Sequence, residues 1–303
     1  MAESSECVTK KGHVLHKGYI DHLDELYNFP VRDQDVWICG FPKSGTTWTQ
    51  ELIWMIMNNL DFEGGKEDIH YRVPFLELSW YKDNAESFYL EPLRDNIGYI
   101  KKKYQSGPVC LKTHMPWVFL PKDIQEGLKK TKIIYVVRNP KDAALSLYHF
   151  MKALGECNEP VDDFLENFIA GNAVYLPYWS HVLEFWEQRH KPNVMILRYE
   201  EMLKDLPGMI RKVASFLEKP LTDDQVDQLV KHLSFDSMKT NSAVNNEKLI
   251  KERRQIKGLG EAQTGHMRRG QAKSHKAEMS PEMIEKFDEW INVNTKNTDF
   301  VVE

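Results

Sequence analysis

Cysteine is scarce in this sequence: Cys7, Cys39, Cys110 and Cys157 are the only four in 303 residues, and no two stand in a C-x-x-C pair. That usage speaks against a disulfide framework and fits a reducing compartment. Long apolar runs are missing as well. The longest, Leu52 to Met57, falls far short of the roughly 20 residues needed to span a bilayer. The opening MAESSECVTKKGH has no apolar stretch of the secretory kind, so a cytoplasmic protein with no membrane partner is expected. Nor is there an excess of positive charge: 40 Lys and Arg against 45 Asp and Glu leave a formal charge of −5. A chain with that balance is not a general ligand for nucleic acid, and any anion site must be local. Metal-ligand spacings, a G-x-S-x-G nucleophile elbow and a G-x-G-x-x-G dinucleotide fingerprint are all absent, so no metal is expected and two common enzyme classes drop out.

What is present is a globular composition, 42% hydrophobic, too rich in core formers to be disordered. At this length one core is near its upper size, and residues 1–303 are read as a single domain. Short runs rich in Val and Ile at Val36 to Cys39, Val109 to Lys112, Ile133 to Val137 and Val194 to Leu197 have the signature of strands covered on both faces. Helical spacing follows Gly45, where Trp48, Leu52, Ile53, Met55 and Ile56 recur. It returns at Asp142 to Ala153, Val161 to Ile169, Tyr175 to Gln188, Leu206 to Phe216, Asp223 to Lys231 and after Pro281. Strands alternating with helices predict an α/β fold, a central parallel sheet flanked by helices. Met55 and Met57 are read as core, as are most aromatics, Trp80, Tyr81, Phe88, Tyr89, Phe119, Phe164, Tyr178 and Trp179 among them. The segment Lys239 to Lys276 stands apart. Ten basic residues against three acidic, with NSAVNN and Gly258, Gly260, Gly265 and Gly270, predict an irregular basic loop, either a solvated surface or a functional element.

Chemistry collects at three strand ends. Gly40-Phe41-Pro42-Lys43-Ser44-Gly45 has the spacing of a P-loop, in which backbone N–H groups and a helix N-terminus converge on an anion. It is P-loop-like only: Thr46 and Thr47 follow the second glycine, and the lysine comes two places before it. Lys43, Ser44, Thr46 and Thr47 are expected to bind phosphate, with Trp48 as a face for a base; a structural turn is the alternative. Lys112-Thr113-His114 and Arg138-Asn139-Pro140-Lys141-Asp142 end the next two strands, where open α/β sheets bind their ligands. His114 suits a general base near neutral pH, with Lys112 disfavouring its protonation and stabilising charge on oxygen. Arg138 either joins this site or pairs with Asp142. The residues alone reach an anion-binding α/β enzyme.

GFPKSGTTW, LKTHMP, RNPKDAALSLYHF, RYEEM and MRRG, in that order between Trp37 and Gly270, resemble the cytosolic sulfotransferase family. The resemblance implies transfer of a sulfuryl group from 3′-phosphoadenosine 5′-phosphosulfate (PAPS) to a small acceptor, leaving the bisphosphate PAP. Lys43, Ser44, Gly45, Thr46 and Thr47 would cradle the phosphosulfate, with Trp48 on the adenine. Arg138, Ser146, Arg268, Arg269 and Gly270 would hold the 3′-phosphate, and Tyr199, Ser234, Phe235 and Met238 would lie by the same nucleotide. His114 would take the acceptor's proton, while Lys43 and Lys112 stabilise charge in an in-line transfer that needs no metal.

Phe75 and Phe150 fall where the family lines its acceptor pocket. They imply a flat, apolar hydroxyl compound, a phenol first and an aliphatic or steroidal alcohol second. The chain departs from the family's R-K-G-x-x-G-x-W-K, reading Arg268-Arg269-Gly270-Gln271-Ala272-Lys273-Ser274-His275-Lys276, and Leu233 replaces a usual Thr or Ser. The family's dimerisation stretch appears as Lys276 to Glu285 with Ser280-Pro281 for Thr-Val, so a homodimer is possible but its contact is altered. Two other readings stand beside an active sulfotransferase: a non-catalytic binder of nucleotide and a hydrophobic ligand, and a kinase-like phosphotransferase.

Overall fold

The computed structural model describes residues 7–80, 95–105 and 107–303. Strands β1 (Cys7–Lys10) and β2 (His13–His16) pair as an antiparallel hairpin. Strands β3 (Val36–Gly40), β4 (Cys110–Thr113), β5 (Lys132–Val137) and β6 (Val194–Arg198) form a parallel sheet in the order β4-β3-β5-β6. Val36 sits opposite Cys110 on one side and Lys132 on the other, and Ile133 opposite Val194. The predicted α/β sheet is thus present, its strands within about a residue of the expected bounds.

Every residue of β3 is buried, as a central parallel strand covered on both faces requires. Alternate residues serve different cores. Trp37, Cys39, Leu111, Ile133, Tyr135 and Val137 join the core that receives the helices Pro140–Ala153, Val161–Ala170, Tyr178–Glu187 and Pro281–Thr295. Val36, Ile38, Cys110, Ile134 and Val136 join the other, under the helices Thr46–Met57, Leu206–Phe216 and Asp223–His232. Burial of each large apolar side chain is worth about 1.5–3 kcal/mol, so the sheet is a stiff platform whose carboxyl ends are fixed from two sides. Met55 is fully buried and Met57 packs on the same core. Trp80, Phe119, Phe164, Tyr178 and Trp179 are buried too; Tyr81, Phe88 and Tyr89 lie outside the described residues.

Local signals set the helix bounds. Asn139 caps Pro140–Ala153 through the N–H of Lys141, with Pro140 in the first turn. Ser280 caps Pro281–Thr295 in the same way, so the Ser-Pro pair that replaces Thr-Val starts a helix. The helix expected from Tyr175 begins only at Tyr178, because Pro177 holds its predecessor out of helical conformation. The segment Lys239 to Lys276 corrects the sequence reading: it contains the helix Glu247–Ile256. Its Glu, Lys, Leu, Arg and Gln residues favour helix, and Leu249, Ile250 and Arg253 give it an inner face beneath the charge. The glycines that argued for a loop come after it. No helix among the described residues is long and apolar enough to cross a membrane, and no group of three metal-ligating side chains occurs among them.

Candidate active site

The carboxyl ends of β3, β4 and β5 open on one cavity of about 900 Å³, at the upper end of the range for small-molecule sites. Lys43, Gly45, Thr46, Thr47, Trp48, Phe75, Lys112, His114, Arg138, Ser146, Phe150, Tyr199, Ser234, Phe235, Met238, Arg268, Arg269 and Gly270 all line it. Ser44 lies behind the wall, as do Thr113 and the stretch Asn139-Pro140-Lys141-Asp142 at the other two strand ends.

The loop after β3 turns through left-handed backbone at Lys43 (φ 66°) and Gly45 (φ 105°). At Lys43 this costs about 1–2 kcal/mol. At Gly45 a side chain is excluded twice, by φ and by the Tyr199 ring, whose Cδ2 would lie 2.7 Å from a Cβ. Gly45 supplies no side-chain cap to the helix Thr46–Met57, which leaves first-turn N–H groups available to an anion. Ser44 Oγ and Arg138 Nε are buried without a protein partner. The remaining Arg138 nitrogens brace the loop: Nη1 donates to the Lys43 carbonyl (3.1 Å) and Nη2 to that of Gln271 (3.4 Å), while the guanidinium lies 4.4 Å over the Tyr199 ring. Trp48 is held by its indole N–H on the Leu233 carbonyl (2.9 Å) and stands edge-on to Tyr199.

His114 follows β4 with its ring edge-on to Phe75 and Tyr175. Its Nδ1 lies 2.5 Å from the Gly40 carbonyl. A carbonyl only accepts, so the ring proton is on Nδ1 and Nε2 keeps its lone pair. Burial, then the charge of Lys112, holds the His114 pKa well below the ordinary histidine value. Burial lowers Lys112 to about 8 against the opposing pull of Glu77. It pushes Lys43 well down, helped by Lys112 and Arg138. Both ammonium groups rest on aromatic faces, Lys112 4.3 Å from the Phe75 centroid and Lys43 4.2 Å from that of Phe150.

Sequence reasoning missed three residues. Glu77, fully buried, accepts the N–H of His114 (2.6 Å), the hydroxyl of Thr113 (2.8 Å) and that of Tyr175 (3.4 Å). Its signal was a carboxylate in an otherwise apolar stretch, VPFLEL. His266 reaches Lys43 and Thr47 from the basic segment; an imidazole directly before Met267-Arg268-Arg269-Gly270 was its signal. Glu278 accepts from Arg268 (2.6 Å) and His149 (2.6 Å) and forms an ion pair with Arg269 (3.1 Å), and nothing local in the sequence announces it. Asp142 does not form the alternative pair with Arg138. Its carboxylate accepts the backbone N–H groups of Lys273 and His275, the Ser274 hydroxyl and His275 Nδ1. These bonds tie down the stretch after Gly270 where the family's glycine and tryptophan are missing. Gly270 itself has φ 61°, and a Cβ there would meet the Phe235 ring at 2.1 Å.

Comparison with known proteins gives the same reading. The sulfotransferase domain family matches residues 33–299. Luciferin sulfotransferase of Photinus pyralis is 41% identical over 291 residues, 94% of this chain and 78% of that protein. Sulfotransferase 1E1 of Homo sapiens is 32% identical over 91% of this chain and 89% of its own length. The solved structure of a retinol dehydratase with retinol and PAP superposes with a TM-score of 0.84 at 31% identity, covering 99% of this chain and 93% of the other. Matches of this extent leave the rival readings without support: the chain belongs to the sulfotransferase family and transfers a sulfuryl group from PAPS to the hydroxyl of a small acceptor.

Proposed function

We propose that His114 is the general base of this transfer, that Lys43 and Lys112 stabilise its charge, and that the acceptor is a flat, largely apolar phenol or, second, an aliphatic or steroidal alcohol. One observation carries the assignment: the Nδ1–H of His114 is committed to Gly40, which leaves Nε2 unprotonated beside Lys112 within the cavity. The bound donor supplies the sulfuryl group. His114 Nε2 takes the acceptor's hydroxyl proton, and Lys112 and Lys43 meet the negative charge that builds on the transferring group and on the leaving phosphate oxygen.

The residues suit the donor. Buried Ser44 Oγ and Arg138 Nε lack protein partners, as groups awaiting an anion would. We assign Lys43, Ser44, Gly45, Thr46 and Thr47 to the phosphosulfate, Arg138, Ser146, Arg268, Arg269 and Gly270 to the 3′-phosphate, and Trp48, Tyr199, Ser234, Phe235 and Met238 to the nucleoside. Phe75 and Phe150 border the acceptor space. We also propose a single domain acting in the cytoplasm without nucleic acid or membrane partners, in keeping with its net charge of −5. Any homodimer contact is assigned to Lys276 to Glu285.

The test is incubation with PAPS and a panel of phenols and alcohols in excess EDTA, with mass spectrometry for products heavier by SO₃. Product is expected from the wild type and not from His114→Ala, which should still bind PAP. Turnover by that variant would sink the base assignment.

A further inference from the structure

His266 enters the site from the far end of the chain. Its Nδ1 lies 3.1 Å from Lys43 Nζ, its own carbonyl 3.4 Å from the same ammonium, and its Nε2 3.4 Å from Thr47 Oγ1. The ring stands edge-on to Phe150, centroids 5.1 Å apart. An ammonium offers only donors, so Nδ1 must accept from Lys43 and the ring proton sits on Nε2. That N–H then donates to Thr47 Oγ1, which leaves the threonine's own hydroxyl proton free to donate to a further group.

We propose that His266 is a positioning residue for sulfuryl transfer: through Nδ1 it holds the Lys43 ammonium, and through Nε2–H it turns the Thr47 hydroxyl into an oriented donor, before PAPS binds. The proposal rests on the reading that Lys43 and Thr47 contact the phosphosulfate. The charges around the pair make such a partner necessary. Lys43 is faced by Lys112 and Arg138, and His266 by Lys43, Lys112 and His70. None of these is an anion, and burial works with them against a charge on Lys43. The same surroundings hold the pKa of His266 well below the histidine value, burial contributing most, so its Nδ1 lone pair remains available. In the free enzyme it supplies the acceptor that keeps Lys43 protonated; with the phosphosulfate bound, the anion does this itself.

The experiment compares pH profiles of wild type, His266→Phe and His266→Asn. Phenylalanine keeps a ring beside Phe150 without an acceptor, and asparagine restores an oxygen near the place of Nδ1. The profile of kcat/KM for PAPS reports groups in the free enzyme, that of kcat those in the complex. His266→Phe should move the alkaline limb of kcat/KM down by about one pH unit, the lower end of what a lost favourable contact does to a pKa. The limb of kcat should stay in place, and His266→Asn should return the kcat/KM limb toward the wild type. An unmoved kcat/KM limb in His266→Phe, equal displacement of both limbs, or an asparagine variant no better than phenylalanine overturns the proposal. Lys43→Ala separates the two levels: turnover undiminished in that variant refutes the Lys43 assignment itself. Loss there with a silent His266→Phe refutes only the role of His266.

Discussion

Replacing Glu77 with Gln should destabilise the protein more at pH 5 than at pH 8. Burial raises this carboxyl from 4.5 to about 7, against the hydrogen bonds from His114 and Thr113 and the charge of Lys112. Between those two values the folded state holds a proton that the unfolded chain has released, so stability falls as pH rises. At ~1.4 kcal/mol per unit of pKa the interval is worth about 3 kcal/mol, complete above pH 7 and absent below 4.5. Glutamine does not titrate and removes this dependence. It also sets an amide N–H₂ where one carboxylate oxygen accepted, a loss of roughly 1–3 kcal/mol that pH does not alter. The cost of the substitution should therefore be about 2–3 kcal/mol larger at pH 5 than at pH 8. Urea denaturation of both proteins at both pH values, followed by tryptophan fluorescence, measures it, and titrating groups that do not interact with Glu77 cancel in the difference; Lys112, which does interact with it, is compared in the same way in a Lys112→Met background. Equal costs, or a larger cost at pH 8, would mean that Lys112 and the two donors outweigh burial, and the reasoning would fail.

Other outcomes follow from the nucleotide side. Arg268→Ala should weaken PAP binding by about 1.5–3 kcal/mol, the scale of a charged hydrogen bond; unaltered affinity by calorimetry would take the arginine out of the site. Glu278→Gln should act in the opposite sense, tightening PAP by about 1 kcal/mol, because this carboxylate now holds Arg268 by a hydrogen bond and Arg269 as an ion pair. Weaker binding would show that Glu278 shapes the loop rather than competing for it. Gly270→Ala must strain a left-handed position at about 1–2 kcal/mol and displace the Phe235 ring. PAP affinity should fall roughly tenfold, and an unchanged value would separate that contact from nucleotide binding.

What could be read in advance was local. The loop Gly40 to Gly45 links a strand and a helix adjacent in the chain, so its chemistry and its geometry share one stretch of sequence. The ends of β4 and β5 were legible because polar residues follow buried Val and Ile runs. His266 was not, since 223 positions separate it from Lys43 and only the folded chain brings them together. The helix Glu247–Ile256 was hidden because two buried residues, Ile250 and Arg253, give little periodicity amid so many charges. The hairpin of β1 and β2 escaped for a similar reason. Its strands are four residues each, and the turn relies on Lys11 and Gly12 at positive φ rather than on an Asn-Gly signal.

The bond from His114 Nδ1 to the carbonyl of Gly40 joins the proposed base to the end of β3, where the loop that carries the proposed donor cradle begins. One peptide unit thereby sets the register between the two halves of the reaction. Displacing the loop drags the imidazole with it, whereas Phe150 hangs from a separate helix and meets the loop through the Lys43 ammonium on its ring face. The aromatic wall leans on that axis as well, because Phe75 and Phe150 carry the Lys112 and Lys43 ammonium groups on their faces. A substitution at Phe75 or Phe150 therefore reaches a lysine of the proposed transfer step directly, and Phe75 is bridged to the backbone of Lys112 besides.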